Sequence, residues 1–201
     1  MSYPNAAHGL KTVYQSQLIG IIAAVLMFIP VINILAAIAI VASLVLYMVG
    51  LNQTAKDDAG YRTAFTLVIA QLVVSLLGNI IGGSTFGSIL SLVNDVLALA
   101  VLYYVCTTTN RLLQNVCAPE SVTTRGTTVW KINVICTIVE VVCGLLAMIP
   151  SASLQLLASF VTLLAAIAQL VGTILYILYL RDAYRALETS EAPHVYVGPE
   201  V

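Results

Sequence analysis

Three apolar blocks run through the chain, at 18–51, 64–106 and 129–180, and short polar segments separate them. Read as a single helix, the first block would be about 50 Å long at 1.5 Å per residue. The hydrocarbon core of a bilayer is only ~30 Å thick, and a crossing helix needs ~20 apolar residues. Each block also carries a chain breaker near its interior: "IPVIN" with Pro30, "GGSTFGS" with Gly82, Gly83 and Gly87, and "IPSAS" with Pro150. Proline removes a helix donor and biases the residue before it away from helix. Glycine and serine admit the turn. The pattern therefore predicts six helices, at about 13–29, 32–51, 63–81, 86–107, 129–149 and 153–182. The alternative is that Pro30 and Pro150 merely kink longer helices, since neighbours can satisfy freed backbone groups in a membrane. The expected fold is all-α and polytopic. Three consecutive helical hairpins (13–51, 63–107 and 129–182) form one transmembrane domain over 1–187, with a disordered cytoplasmic tail at 188–201.

Internal repetition favours the hairpins. "ILAAIAIVASLVLYMVGL" at 34–51 matches "LLAAIAQLVGTILYILYL" at 163–180 in eight of 18 positions. A Leu-Tyr pair recurs as Leu46-Tyr47, Leu102-Tyr103 and Leu175-Tyr176, and similar tails, "DAGYRTAF" and "DAYRAL", follow the first and third blocks. A two-helix unit repeated three times enters and leaves on one side, giving parallel repeats about an axis along the membrane normal.

Composition moves the chain into lipid. It is 60% hydrophobic and 8% charged, where a soluble globular chain carries about 25% charged residues. Lys11 ahead of an apolar run invites a signal-peptide reading. A signal's apolar region spans only about 7–15 residues, so this segment, apolar to Leu51, is expected to be retained. A net charge of −1 argues against a nucleic-acid partner. Of the four cysteines, Cys106, Cys117, Cys136 and Cys143, two lie inside an apolar helix, so no disulfide framework is expected.

Charge also sets the orientation. All eight Lys and Arg (Lys11, Lys56, Arg62, Arg111, Arg125, Lys131, Arg181 and Arg185) fall at the end that carries both termini and the long connections. Positive charge marks the cytoplasmic side, so both termini are expected in the cytoplasm, with the protein in the cell membrane. Trp130 and the ten tyrosines gather at the same end, and the tips have only Phe28 and Phe86. The tips must then sit shallow in lipid or lie under something else.

Two acids interrupt the apolar helices with no base beside them. Asp95 lies in the fourth helix and Glu140 in "VICTIVEVVCGLL" of the fifth, each about 13–15 Å from the outer tips, so both can sit near the midplane. An ionised Asp there costs about 2.5–3.5 kcal/mol. Holding a glutamate protonated at pH 7, from an ordinary value of ~4.3, costs roughly 3.7 kcal/mol. As interhelical glue a polar pair returns only ~0.6–2 kcal/mol, so a functional role is the default for such residues. The plainer reading is a pair of protonated acids bonded to neighbouring helices.

Polar and small residues form stripes on several helices. They are Asn133, Cys136, Glu140 and Cys143; Ser88, Ser91, Asp95 and Ala98; Gln71, Ser75 and Asn79; Thr162, Ala166, Gln169 and Thr173, with Tyr176 next; and Asn33, with Ala36, Ser43 and Gly50 at steps of seven. A shared polar interior and ordinary packing through small residues both explain them. Gly78 with Gly82, and Gly83 with Gly87, have the GxxxG spacing, which a glycine-rich turn explains as well. Cys136 and Cys143 lie roughly 10 Å apart along the axis, too far for one ion to bond both at ~2.3 Å.

No histidine falls within the helices, because His8 and His194 lie in the terminal segments. "GGSTFG" is neither a nucleophile elbow nor a phosphate loop. Asp57 and Asp58 read as a solvated acidic pair. No cofactor is implied and no enzyme is expected, an intramembrane enzyme using the two carboxylates being the least favoured reading. Two function classes remain. The first is a small transporter-like or channel-like protein that holds a proton or cation at Asp95 and Glu140, with Gln71, Asn79, Asn94 and Gln169 lining the path. The second is a non-enzymatic membrane scaffold, partner subunit or membrane-shaping hairpin protein. Its partners are the bilayer and either a second copy or a membrane partner protein.

Overall fold

The computed structural model describes residues 3–27, 29–81, 85–147 and 152–191. Six helices make up nearly all of them: α1 (Pro4–Leu26), α2 (Asn33–Thr54), α3 (Ala59–Ile81), α4 (Thr85–Asn115), α5 (Glu120–Ala147) and α6 (Ala152–Glu191), with a 3₁₀ turn at Pro30–Ile32. Among the described residues there is no strand, and all six helices are long and apolar enough to cross a membrane. Pro30 thus ends one helix and begins a turn. The turn expected at Gly82 and Gly83, the one at Pro150 and the tail from residue 192 onward lie outside the described residues.

Consecutive helices pack antiparallel. Gly9 meets Gly50 and Thr54 while Gly20 meets Ser43, Gly60 meets Thr108 while Gly78 meets Leu90, and Gly126 meets Tyr179 while Gly172 meets Asn133. In addition, α2 packs on α3, α4 on α5 and α1 on α6, which closes the three hairpins into a ring. The tightest crossing is between α1 and α2. A Cβ on Gly50 would lie 2.8 Å from the Gly9 carbonyl oxygen, so the two backbones touch only because neither residue has a side chain. The Ala36, Ser43 and Gly50 stripe is the seam of this hairpin, and the Ser43 hydroxyl donates to the Ser16 carbonyl at 2.8 Å. Gly78, by contrast, meets Leu90 only at ordinary contact distance.

The helices run further than the apolar pattern, because polar segments expected as connections continue as helix. The links between hairpins shrink to 55–58 and 116–119, and each is built from capping chemistry. After α4, Ala118 N–H donates to the Leu113 carbonyl at 2.9 Å and Cys117 N–H to Gln114 at 3.1 Å, with Cys117 at φ 53°. This is the left-handed C-terminal cap that glycine usually supplies. Pro119 then prevents the helix from continuing, and Glu120 begins α5 with the negative charge that a helix N-terminus favours.

Asp57 and Asp58 are caps for two different helices, which corrects their reading as a solvated pair. Asp58 Oδ1 accepts the Gly60 N–H at 2.8 Å, capping α3, and its side chain is only 11% exposed beside Arg111. Asp57 reaches back to the start of α1, accepting from the Ala6 N–H at 2.7 Å and the Asn5 amide at 2.8 Å. At the other end of the chain, α6 continues to Glu191, where a tail had been expected from residue 188, and Glu188 pairs with Lys11 at 3.0 Å.

The buried core gathers at this polar end. Leu10, Val13, Leu51, Tyr61, Val105, Leu113, Val129, Tyr179 and Leu180 are fully enclosed, whereas toward the tips Ile34, Ile80, Leu156 and Phe160 stand exposed. Lipid tails are as apolar as leucine, so helices in a bilayer gain little by hiding leucine from lipid. Small residues and hydrogen bonds then decide where they join, and here those lie at the polar end.

Arg111 is 61% exposed, and an exposed ion pair is worth little, so the N-cap is what Asp58 chiefly contributes. Asp58→Ala is expected to lower the melting temperature in detergent by about 2–6 °C, from a cap worth about 0.5–2 kcal/mol. Asp58→Asn, which keeps a capping oxygen, should lose much less. Equal losses in a thermal melt would contradict the capping role.

Candidate functional site

Both intramembrane acids sit on inward faces of their helices. On α5 the Val129, Asn133, Cys136, Glu140 and Cys143 face turns inward, with Val129, Cys136 and Cys143 buried. On α4, Asp95 lies three turns from Cys106 on the same face, and Cys106 is 2% exposed. Asp95 itself is exposed and Glu140 half-buried, as expected where the hairpins part toward their tips.

The two carboxyls open into one recess of ≈190 Å³. Asp95, Leu99 and Leu102 line it from α4, Asn133, Thr137 and Glu140 from α5, and Gln169 and Thr173 from α6. The Gln169 amide donates to Glu140 Oε2 at 2.9 Å. Two other polar side chains of the lining bond to their own helices: Asn133 to the Val129 carbonyl at 2.9 Å and Thr173 to the Gln169 carbonyl at 2.9 Å. Neither acid forms an ion pair among the described residues, where the pairs are Lys11–Glu188, Arg111–Asp58, Arg125–Asp182 and Arg181–Asp182. The recess therefore offers a cation two carboxyls, an amide oxygen and hydroxyl oxygens, with no resident positive charge. Its volume admits several waters, each occupying about 30 Å³ in the liquid.

Of the residues singled out from sequence, Asp95, Glu140 and Gln169 come together here. Gln71, Asn79 and Asn94 take no part in the lining. Gln71 and Asn79 lie on α3, Asn79 exposed. Asn94 is on the α4 face of Leu90, which packs on Gly78 of α3, and its buried Oδ1 has no partner among the described residues. The lining adds Asn133, Thr137 and Thr173. Asn133 and Thr173 stand on the stripes that carry Glu140 and Gln169. Thr137 was not among the stripe residues, although it stands four residues after Asn133 and three before Glu140, a spacing that shares their face.

Six helices of membrane-crossing length with a polar recess between three of them define the class, a multi-pass helical membrane protein. No family model matches the chain, and no curated protein or solved structure is similar enough to narrow that class.

A double-mutant cycle tests the hydrogen bond that holds Glu140. Gln169→Leu and Glu140→Leu, alone and together, are expected to show a coupling of about 0.6–2 kcal/mol in unfolding measurements in detergent or bicelles. Additive losses would mean that the amide does not hold the carboxyl.

Proposed function

We propose that this is a small transporter-like or channel-like membrane protein whose Asp95 and Glu140 bind a proton or cation near the middle of the bilayer. One observation carries the reading: two acids from different helices share one recess, and its other polar lining residues, Asn133, Thr137, Gln169 and Thr173, are all uncharged. An unpaired carboxyl inside a bilayer costs several kcal/mol whether it stays charged or takes up a proton. A structural pair returns less than that, and an exchangeable proton or cation supplies the missing charge. The protein lies in the cell membrane with both termini in the cytoplasm, because its eight basic residues share one end with Trp130 and the tyrosines. The three hairpins are parallel two-helix repeats. In support, Asp58 and Asp182, from the similar tails after the first and third blocks, each hold an arginine, Arg111 and Arg125.

The second reading, a membrane scaffold or membrane-shaping hairpin protein that works with a second copy or a partner subunit, draws on a different observation. The core sits at one end of the helices and leaves apolar side chains exposed toward the other. It gives the two acids no task.

The test is reconstitution of the full chain in liposomes, with proton and sodium entry followed by dyes and orientation scored by labelling Cys117 with an impermeant thiol reagent. Flux above empty liposomes is expected, and Asp95→Asn and Glu140→Gln should each lower it at least about tenfold. Flux unchanged in both variants removes the acids from the mechanism. No flux, with tubulated liposomes, favours the scaffold.

A further inference from the structure

The polar groups around the recess spend their hydrogens on the protein. Asn133 holds its amide nitrogen against its own helix, donating to the Val129 carbonyl at 2.9 Å, beside Gly172 of α6. A carbonyl oxygen only accepts, so this contact fixes which end of the amide is nitrogen. Gln169 likewise commits its nitrogen to Glu140 Oε2. The Thr173 hydroxyl gives its one hydrogen to the Gln169 carbonyl. Neither amide oxygen and neither oxygen of Asp95 accepts a hydrogen bond among the described residues. Against two carboxyls, two amide oxygens and the Thr173 oxygen stand only the Thr137 hydroxyl and the outer hydrogens of the two amides. The recess is rich in acceptors and poor in donors.

Plain water suits such a wall badly, because its hydrogens find partners while its lone pairs find few donors. Water around a cation is already oriented to suit it. Its oxygens face the ion and its hydrogens face outward. Volume and charge then narrow the ion. The recess encloses ≈190 Å³, room for about six waters at ~30 Å³ each, and an octahedral ion such as magnesium takes six oxygens. Two ionised carboxyls are balanced by one divalent ion, whereas a monovalent ion leaves one of them to be neutralised separately inside the bilayer. Magnesium gives up its water reluctantly and is bound through one or two carboxylates with several waters kept.

We infer that the cation of the recess is a hydrated divalent ion of magnesium's kind, held through its water shell by Asp95 and Glu140 and by the amide oxygens of Asn133 and Gln169. The inference rests on the recess being the binding site proposed above. The ion keeps its waters, so no bond to the protein has to form or break when it enters or leaves.

The test titrates the full chain, in nanodiscs of a zwitterionic lipid, with MgCl2 by calorimetry. One ion per chain is expected, with a melting temperature that rises with magnesium and does not rise with NaCl at matched ionic strength. Asp95→Asn and Glu140→Gln should each weaken binding at least about tenfold and, without magnesium, melt no lower than the wild type, because each removes an unbalanced acid. Hexaamminecobalt(III), which resembles hydrated magnesium in shape and does not exchange its ligands, should displace the ion. Magnesium that binds but resists this displacement overturns the water-mediated mode. Sodium or proton flux in liposomes that needs Asp95 and Glu140, with no magnesium bound, overturns the divalent assignment and leaves the recess standing. Magnesium binding and ion flux both indifferent to the two acid substitutions overturn the recess itself.

Discussion

The bilayer interior offers no water to a charged or polar group, so each such group must find its partner inside the protein. Among the described residues the Gln169 amide donates to Glu140 and no base pairs with either acid. That imbalance gives the recess its chemistry. Two carboxyls from neighbouring helices, sharing one small space without a countercharge, have a standing need for a positive partner. In the function we propose, a proton or cation that can leave again meets that need.

The rest of the molecule is arranged so that this need can persist. Stability is concentrated at the polar end, where Gly9 and Gly50 bring two backbones into contact, Asp57 and Asp58 cap α1 and α3, and Tyr61 and Tyr179 are enclosed. With the helices held there, their outer halves need not close over the acids. Asp95 can stay exposed on an inward face while the chain below it is tightly packed.

The six-helix plan was legible because lipid imposes a length on apolar runs, and Pro30 interrupts one that is too long. The helix ends were not legible from the same signal. In α4 and α5 the helix continues through "TTTNRLLQN" and "ESVTTRGTT", whose polar side chains are in part exposed, as Arg111 is, and in part buried, as Thr108 and Thr109 are. An apolar count stops where the lipid stops, not where the helix does. Asp57 and Asp58 were misjudged because a cap across helices, such as Asp57 on α1, depends on tertiary placement. Asp95, Glu140 and Gln169 were legible as polar residues in greasy helices. Gln71, Asn79 and Asn94 carried the same signal but belong to other faces, and only the packing of α3 against α4 separates them from the recess.

The most direct test is whether water reaches both acid positions in one chain. With Cys117 replaced by serine, Asp95→Cys and Glu140→Cys are introduced singly and together into reconstituted protein. The expected result is that a small hydrophilic thiol reagent modifies each position, and that a short bifunctional reagent joins the two within a single chain. Thiols that react only with a lipid-soluble reagent, and are never joined, would place the two side chains against lipid and contradict a shared, hydrated recess.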